Sequence, residues 1–432
     1  MPLSTPHDVE MIYDEAGRGG VTPAGGCTTQ AMRRATVPGR ASPRSSRRVL
    51  LVRASAVPLV DVGAARAALR GGRPSSPAVL EAASQVESAC RRTGCFYCVN
   101  HGVPVAAVLA QGETFFTSTS AEAKERISSR HSPAFRGYVA LGAELTAGVP
   151  DLREQLEFGT EEKAAAAGSS QPWPPYERLR GPNQWPDEGT GSGALKGFRS
   201  DVEDFMGAME LLGADVSCLV ALALGLEWDA FVPLFTPRGH MQLKLCLYPT
   251  GAGTRTRTHM GVGAHTDSGF LSLLVQDSVG GLEVLVEEED GGQRWTEVPP
   301  VGDAVVVNLG EVVESLTGGH FVATPHRVVQ VESGVKKHRM SAPFFYNPRL
   351  DVDVNDFAEL MDAIREKPGQ QHHQQQRKGK TSPGRIRNPV GNPVLASYGM
   401  NAFKSFARSH PGVVRLHHAD LHVAPDGTVS RT

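Results

Sequence analysis

Cysteine is scarce. Six residues in 432, without a repeated spacing, are too few for a disulfide scaffold in a chain of this length. Cys95 and Cys98 form one C-x-x-C, but no second pair completes a zinc site. The surrounding GCFYCVNHG reads as a short strand, so both thiols are expected as buried strand side chains. A surplus of one charge is also missing: 44 Lys+Arg against 46 Asp+Glu lack the basic excess of a dedicated nucleic-acid binder. The longest apolar stretch, Val216 to Leu226, falls far short of the roughly 20 residues that span a bilayer. Neither nucleic acid nor a membrane is therefore expected as a partner, and nothing calls for an obligate protein partner. The 47 Gly and 30 Pro stay below the roughly 25% that marks low-complexity disorder. What remains is an ordinary soluble composition, long enough for about one to three domains.

The near-zero average hides an uneven chain. From Ala16 to Val60 there is no Asp or Glu, and residues 1–60 carry eight Arg against four early acids, +4, leaving −6 for the remainder. An Arg- and Ser-rich, acid-free stretch without an apolar core resembles a transit peptide more than a secretory signal, so a chloroplast or other organelle is the expected destination. The acids at Asp8, Glu10, Asp14 and Glu15 run against that pattern, and a start at Met32 fits it better. The bland alternative is a disordered tail, with a cytoplasmic protein behind it.

The organisation past this tail, 1–55, is α+β. A strand at AVPLVDV precedes a helix around Ala78–Arg91, the strand Cys95–Val99 and a helical run from Pro104 to Ile127. Phe198, Val202, Phe205, Met209, Leu212, Val216 and Leu219 alternate spacings of four and three, one buried helical stripe with no chemistry assigned to it. From Met241 the texture changes to short strands punctuated by glycine, from MQLKLCLYP through AVVVNLG to SAPFFYNP, the pattern of an antiparallel sandwich or barrel. The expected plan is an N-terminal helical and strand region over 56–235 packed on a jelly-roll core at 236–350. A Gln-, His- and Lys-rich insertion at 366–392 reads as disordered, and 393–432 closes the chain with a helix near Ser397–Ser409.

Chance alone predicts about 0.7 His-x-Asp triplets at this composition, so one triplet means nothing by itself. There are two. His418-Ala419-Asp420 lies in HHADLH near the end of the sequence with nothing downstream to complete it, and His417, His418 and His422 read as polar surface. His265-Thr266-Asp267 sits at the start of an apparent strand, where residues two apart share a face. His326 in TPHRVVQV supplies a third ligand from another strand. Two imidazoles and one carboxylate leave three adjacent positions open, the facial arrangement of non-haem Fe(II) oxygenases. A structural zinc would instead fill its fourth position with protein. His320, close by, reads as a turn residue. Thirteen residues after His326, Arg339 and Ser341 provide a guanidinium and a hydroxyl suited to clamping a carboxylate, and Tyr248 can add a phenolic hydrogen bond. Arg136 in RGY either reaches substrate or braces the helical layer.

Together with VNHGVP, RGYVALGAE, LREQLEFG, GPNQWP, LYP, QDSVGGLEV, GDAVVVNLGE, TPHRV and RMSAPFFYNP, these motifs resemble the isopenicillin N synthase-like 2-oxoglutarate- and iron(II)-dependent dioxygenases. The resemblance runs from about Val57 to His410. It implies a double-stranded β-helix core, Fe(II) on His265, Asp267 and His326, and 2-oxoglutarate held at its distal carboxylate by Arg339, Ser341 and Tyr248. Dioxygen is then the oxidant and ascorbate an optional reductant. Cys95 and Cys98 depart from the family's usual residues, SLTGGHFVATPH lacks the Trp often found there, and the 366–392 insertion is atypical.

The expected activity is oxidation of a small-molecule metabolite, by hydroxylation or desaturation, with release of succinate and CO2. Two alternatives stay open at this level. One is a 2-oxoglutarate-independent non-haem iron oxidase of the same family; the other is a catalytically silent jelly roll that binds a small acid.

Overall fold

The computed structural model describes residues 57–163, 173–189, 195–249, 260–288, 292–330, 338–365, 394–424 and 428–432. The segments read as a tail at 1–55 and as an insertion at 366–392 lie outside them. In chain order the strands are β1 Leu59–Asp61, β2 Cys95–Val99, β3 Gly137–Val139, β4 Leu145–Thr146, β5 Val149–Pro150, β6 Glu154–Gly159 and β7 Gln242–Pro249. There follow β8 Met260–His265, β9 Leu271–Gln276, β10 Leu282–Glu287, β11 Gln293–Glu297, β12 Val305–Leu309, β13 His326–Val329 and β14 His338–Tyr346. The larger sheet runs β1-β2-β12-β9-β14-β7-β6-β3 and the smaller β11-β10-β13-β8, with β4 and β5 as a separate hairpin.

Period-two alternation makes the larger sheet a wall with two apolar faces. Cys95, Tyr97, Cys246, Tyr248 and Val306 point inward and pack with Val262, Val284 and Val328 of the smaller sheet. Phe96, Cys98, Leu243, Leu245, Val305 and Val307 point outward into the core under the helices. The C-x-x-C therefore places its thiols on opposite faces of one strand. Burial pushes both thiols up to about 12, which makes them inert packing groups, as the strand reading expects.

The outer face is covered mainly by the helices Pro77–Arg92, Val105–Ser118 and Phe198–Ala223. All seven residues of the sequence-read stripe are fully buried along Phe198–Ala223. At 26 residues this helix is long and apolar enough to cross a bilayer, yet the stripe lies inside the protein core. The run expected from Pro104 to Ile127 is two helices, Val105–Ser118 and Ala121–Arg126. Ser120 breaks it, because its hydroxyl accepts from the Ala123 N–H at 3.2 Å and caps the second helix.

One glycine brings the site together. A Cβ on Gly310 would lie 2.1 Å from the Gly269 carbonyl oxygen and 3.1 Å from that of Asp267. The turn after β12 thus closes backbone to backbone on the loop that carries Asp267, and the Gly310 N–H donates to Phe270 O at 2.9 Å. Gly310→Ala is expected to destabilise the fold by about 1–3 kcal/mol, because the clash is with main chain that cannot rotate away. Urea melts of the purified variant check this.

Candidate active site

The smaller sheet carries two imidazoles side by side. His265 ends β8, His326 begins β13, and the two are register partners with ring centroids 4.3 Å apart. Asp267 is not on a strand: it lies in the loop between β8 and β9, so its proximity to His265 comes from the turn and not from strand alternation. Its Oδ1 is 3.8 Å from His265 Nε2 and its Oδ2 3.7 Å from His326 Nε2.

The surroundings fix how these groups present themselves. His265 Nδ1 faces the Gly263 carbonyl at 2.8 Å and His326 Nδ1 that of Thr324 at 3.2 Å. The Gly263 carbonyl favours the hydrogen on His265 Nδ1, which leaves that ring's Nε2 lone pair toward Asp267, while His326 Nδ1 also has the Asn308 amide Nδ2 at 3.2 Å. Burial, with His326 opposite, pushes His265 down to about 4, so that ring is neutral near neutral pH. Burial opposes the charge on Asp267, but the two rings and hydrogen bonds from Ser272 and Asn308 outweigh it and hold its carboxyl below the ordinary value. Ser272 Oγ donates to Asp267 Oδ2 at 2.5 Å. Two imidazoles and a carboxylate with their ligand atoms within 4.8 Å of one another match a divalent-metal donor set. His320 is outside this group and stacks on Phe321 in a turn, as expected.

Across the same cavity of about 730 Å³ stands Arg339 on β14. Alternation sends Arg339, Ser341, Pro343 and Phe345 into the cavity while Met340, Ala342 and Phe344 join the outer core. Arg339 is 2% exposed, with Nη1 donating to Ser341 Oγ at 3.2 Å and Nη2 to Gln276 Oε1 at 3.0 Å. Tyr248 is its register partner on β7, and the guanidinium lies 4.8 Å from that ring's centroid. Among the described residues no carboxylate pairs with it. A buried guanidinium with only neutral partners and a cavity beside it is a site for an anion.

A polar network that reaches this cavity through Glu144, Arg153 and Lys244 was not legible as a unit in the sequence. Buried Glu144, Asp151, Gln155 and Glu157 form an ion network with the half-buried Arg153 and Lys244. Lys244 bridges Glu144 at 2.7 Å and Glu157 at 2.9 Å, and His410 Nε2 lies 3.4 Å from Glu157. Burial opposes ionisation of Glu144, yet Lys244 and Arg153 hold it well below the usual carboxylate range. Glu144, Glu157 and His410 have a metal-like spacing, but the Lys244 ammonium already occupies the place between the carboxylates. Gln276, Asn308 and Ser272 were likewise missed as individual contacts, although QDSVGGLEV and GDAVVVNLGE contain the first two.

Two other sequence readings resolve here. Arg136 is fully buried, donates to Leu179 O at 3.3 Å and lies against Gly159, so it braces the helical layer and is not part of the cavity wall. Among the described residues the second triplet, His418-Ala419-Asp420, joins no metal-like cluster. Asp420 pairs with Arg178 at 2.6 and 2.8 Å, while His418 departs from the surface reading: it is fully buried, stacked 5.3 Å from Phe135, with Nε2 2.9 Å from Pro133 O. His417 and His422 lie nearer the surface.

Residues 57–188 match the family model for the non-haem dioxygenase in morphine synthesis N-terminal region, and residues 239–348 match that of the 2OG-Fe(II) oxygenase superfamily. The chain is similar to the 2-oxoglutarate-dependent dioxygenase frbJ of Dothideomycetidae sp. (strain 11243), 32% identical over 72% of this chain and 79% of the relative. It is also similar to a homoarginine-6-hydroxylase of Glycine max, 29% identical over 69% and 88% of the two chains. Among solved structures, a full-length Neurospora crassa protein in complex with alpha-KG superposes with a TM-score of 0.56 at 26% identity, covering 69% of this chain and 87% of the other. That protein is also solved with alpha-KG and thymine, with a TM-score of 0.54 at 25% identity over 68% and 86%. On the joint weight of this fold, donor set and anion site, the chain belongs to the isopenicillin N synthase-like 2-oxoglutarate- and Fe(II)-dependent dioxygenases.

Proposed function

We propose that His265, Asp267 and His326 are the ligands of Fe(II), and that Arg339, Ser341 and Tyr248 hold the distal carboxylate of 2-oxoglutarate. One observation carries this reading: a three-donor cluster and an unpaired buried guanidinium face one cavity from opposite sheets. When bound, iron and 2-oxoglutarate supply dioxygen activation, coupled to decarboxylation of the keto acid to succinate. The chain's own part is to orient both imidazoles through their Nδ1 contacts, to keep His265 neutral by burial, to ionise Asp267, and to neutralise the co-substrate's negative end with Arg339. The apolar inner faces of β2, β10 and β12 limit water around the reacting groups.

The substrate is a small metabolite that is hydroxylated or desaturated in the remaining cavity. Relatives named for homoarginine and solved with thymine support a small, polar molecule. An organellar destination, a chloroplast among the candidates, is supported by the acid-free, Arg-rich stretch Ala16–Val60. Anaerobic reconstitution with Fe(II) and 2-oxoglutarate, then a metabolite screen for stimulated succinate release, tests the reaction. One succinate per product molecule is expected. Turnover without succinate would instead favour a 2-oxoglutarate-independent oxidase.

A further inference from the structure

Between the co-substrate clamp and the ion network lies one residue that touches both. Arg153, at the start of the LREQLEFG motif, donates from Nη1 to the Tyr248 hydroxyl at 3.3 Å. Its Nη2 is 2.6 Å from Glu144 and 3.3 Å from Asp151. Glu144 is in turn held by Gln155 at 2.6 Å and Lys244 at 2.7 Å, so the guanidinium has its orientation fixed from behind. Tyr248 is thereby bracketed by two arginines, Arg153 at its hydroxyl and Arg339 over its ring.

We propose that Arg153 is a positioning residue for 2-oxoglutarate, acting through Tyr248. A phenol carries one hydrogen; with Arg153 donating to the oxygen, that hydrogen must point elsewhere. Among the described residues no acceptor takes it, and Tyr248 lines the cavity beside Arg339 and Ser341. Arg153 thus holds Tyr248 as a donor, and its charge strengthens that donor by polarising the O–H bond. Arg153 is not itself the carboxylate clamp, because Glu144 and Asp151 already neutralise it, whereas Arg339 has no such partner among the described residues. The assignment rests on the clamp proposed above.

The test is a double-mutant cycle on Fe(II)-loaded protein under anaerobic conditions, reading 2-oxoglutarate affinity from ligand-induced thermal stabilisation and Fe(II) affinity as the control. Tyr248→Phe keeps the ring and every ion pair, and weakens 2-oxoglutarate about tenfold, the scale of one hydrogen bond to a charged group. Arg153→Met gives a similar loss, and the double variant remains near tenfold, far from the hundredfold of independent effects. Should Arg153→Met not fold, Arg153→Lys retains the charge that Glu144 and Asp151 need but lacks the second donor arm, and weakens 2-oxoglutarate several-fold. Fe(II) affinity stays at the wild-type value in all of them. Wild-type affinity in Tyr248→Phe, wild-type affinity in the Arg153 variant, or additive losses overturns the assignment. Absence of 2-oxoglutarate stabilisation in the wild type would instead strike the clamp itself.

Discussion

Asp267→Ala is expected to abolish Fe(II) binding and succinate release while leaving a folded protein. Even residues that only support a ligand typically change metal affinity by about 10–100-fold, and removal of a charged ligand exceeds that range. Asp267 is the one carboxylate of the cluster, its two oxygens each facing an imidazole Nε2. Without it, two imidazole rings remain, and as ligands they supply no negative charge to offset desolvation of a divalent cation. The truncation also strands the Ser272 hydroxyl, at a cost of about 1–3 kcal/mol for a buried donor left without its partner. Asp267→Asn separates the two effects. It keeps the shape and an acceptor for Ser272 but removes the charge, so thermal stability should stay near wild type while Fe(II) binding is lost. Anaerobic Fe(II) titration beside a thermal melt reads both. Wild-type Fe(II) affinity in either variant would remove Asp267 from the ligand set.

The route to Asp267 shows what a sequence can and cannot carry. Residue types and order along the chain were enough to single out His265, Asp267, His326 and Arg339, because few side chains make a facial metal site or a carboxylate clamp. The spacing argument behind His-x-Asp was wrong, since a two-residue separation is equally compatible with a strand and with the loop that leaves it. Apolar periodicity picked out seven of the buried positions of Phe198–Ala223, and the glycine-punctuated apolar runs marked β7, β12 and β14 as strands. It was silent about β6, where Gln155 and Glu157 face inward and interrupt the apolar pattern. Their partners are distant in sequence: Lys244 lies 100 residues from Glu144, and Tyr248 lies 95 from Arg153. No local window contains that network. His418 failed for the converse reason, because its polarity suggested solvent while its ring found Phe135 and its nitrogen found Pro133 O.

Arg339→Met should have opposite signs in the free and liganded protein. In the free protein the guanidinium is a buried charge with no carboxylate partner among the described residues, held by Ser341, Gln276 and the Tyr248 ring. Methionine fills much of the same volume with no charge to desolvate, so replacement is expected to leave the free fold as stable or more so. Binding of 2-oxoglutarate depends on that same charge. Truncating one side of a buried charge pair costs about 2–5 kcal/mol, and a loss of about 3 kcal/mol is roughly two orders of magnitude in affinity. At a 2-oxoglutarate concentration about 100 times the wild-type Kd, ligand stabilises the wild type by about 2.7 kcal/mol. The variant, with a Kd about 100-fold higher, would gain only about 0.4 kcal/mol at that concentration. Paired thermal melts with and without 2-oxoglutarate on Fe(II)-loaded protein therefore distinguish a carboxylate clamp from a structural arginine. A structural arginine would lower the melting temperature of the free protein and leave the ligand-induced increment unchanged.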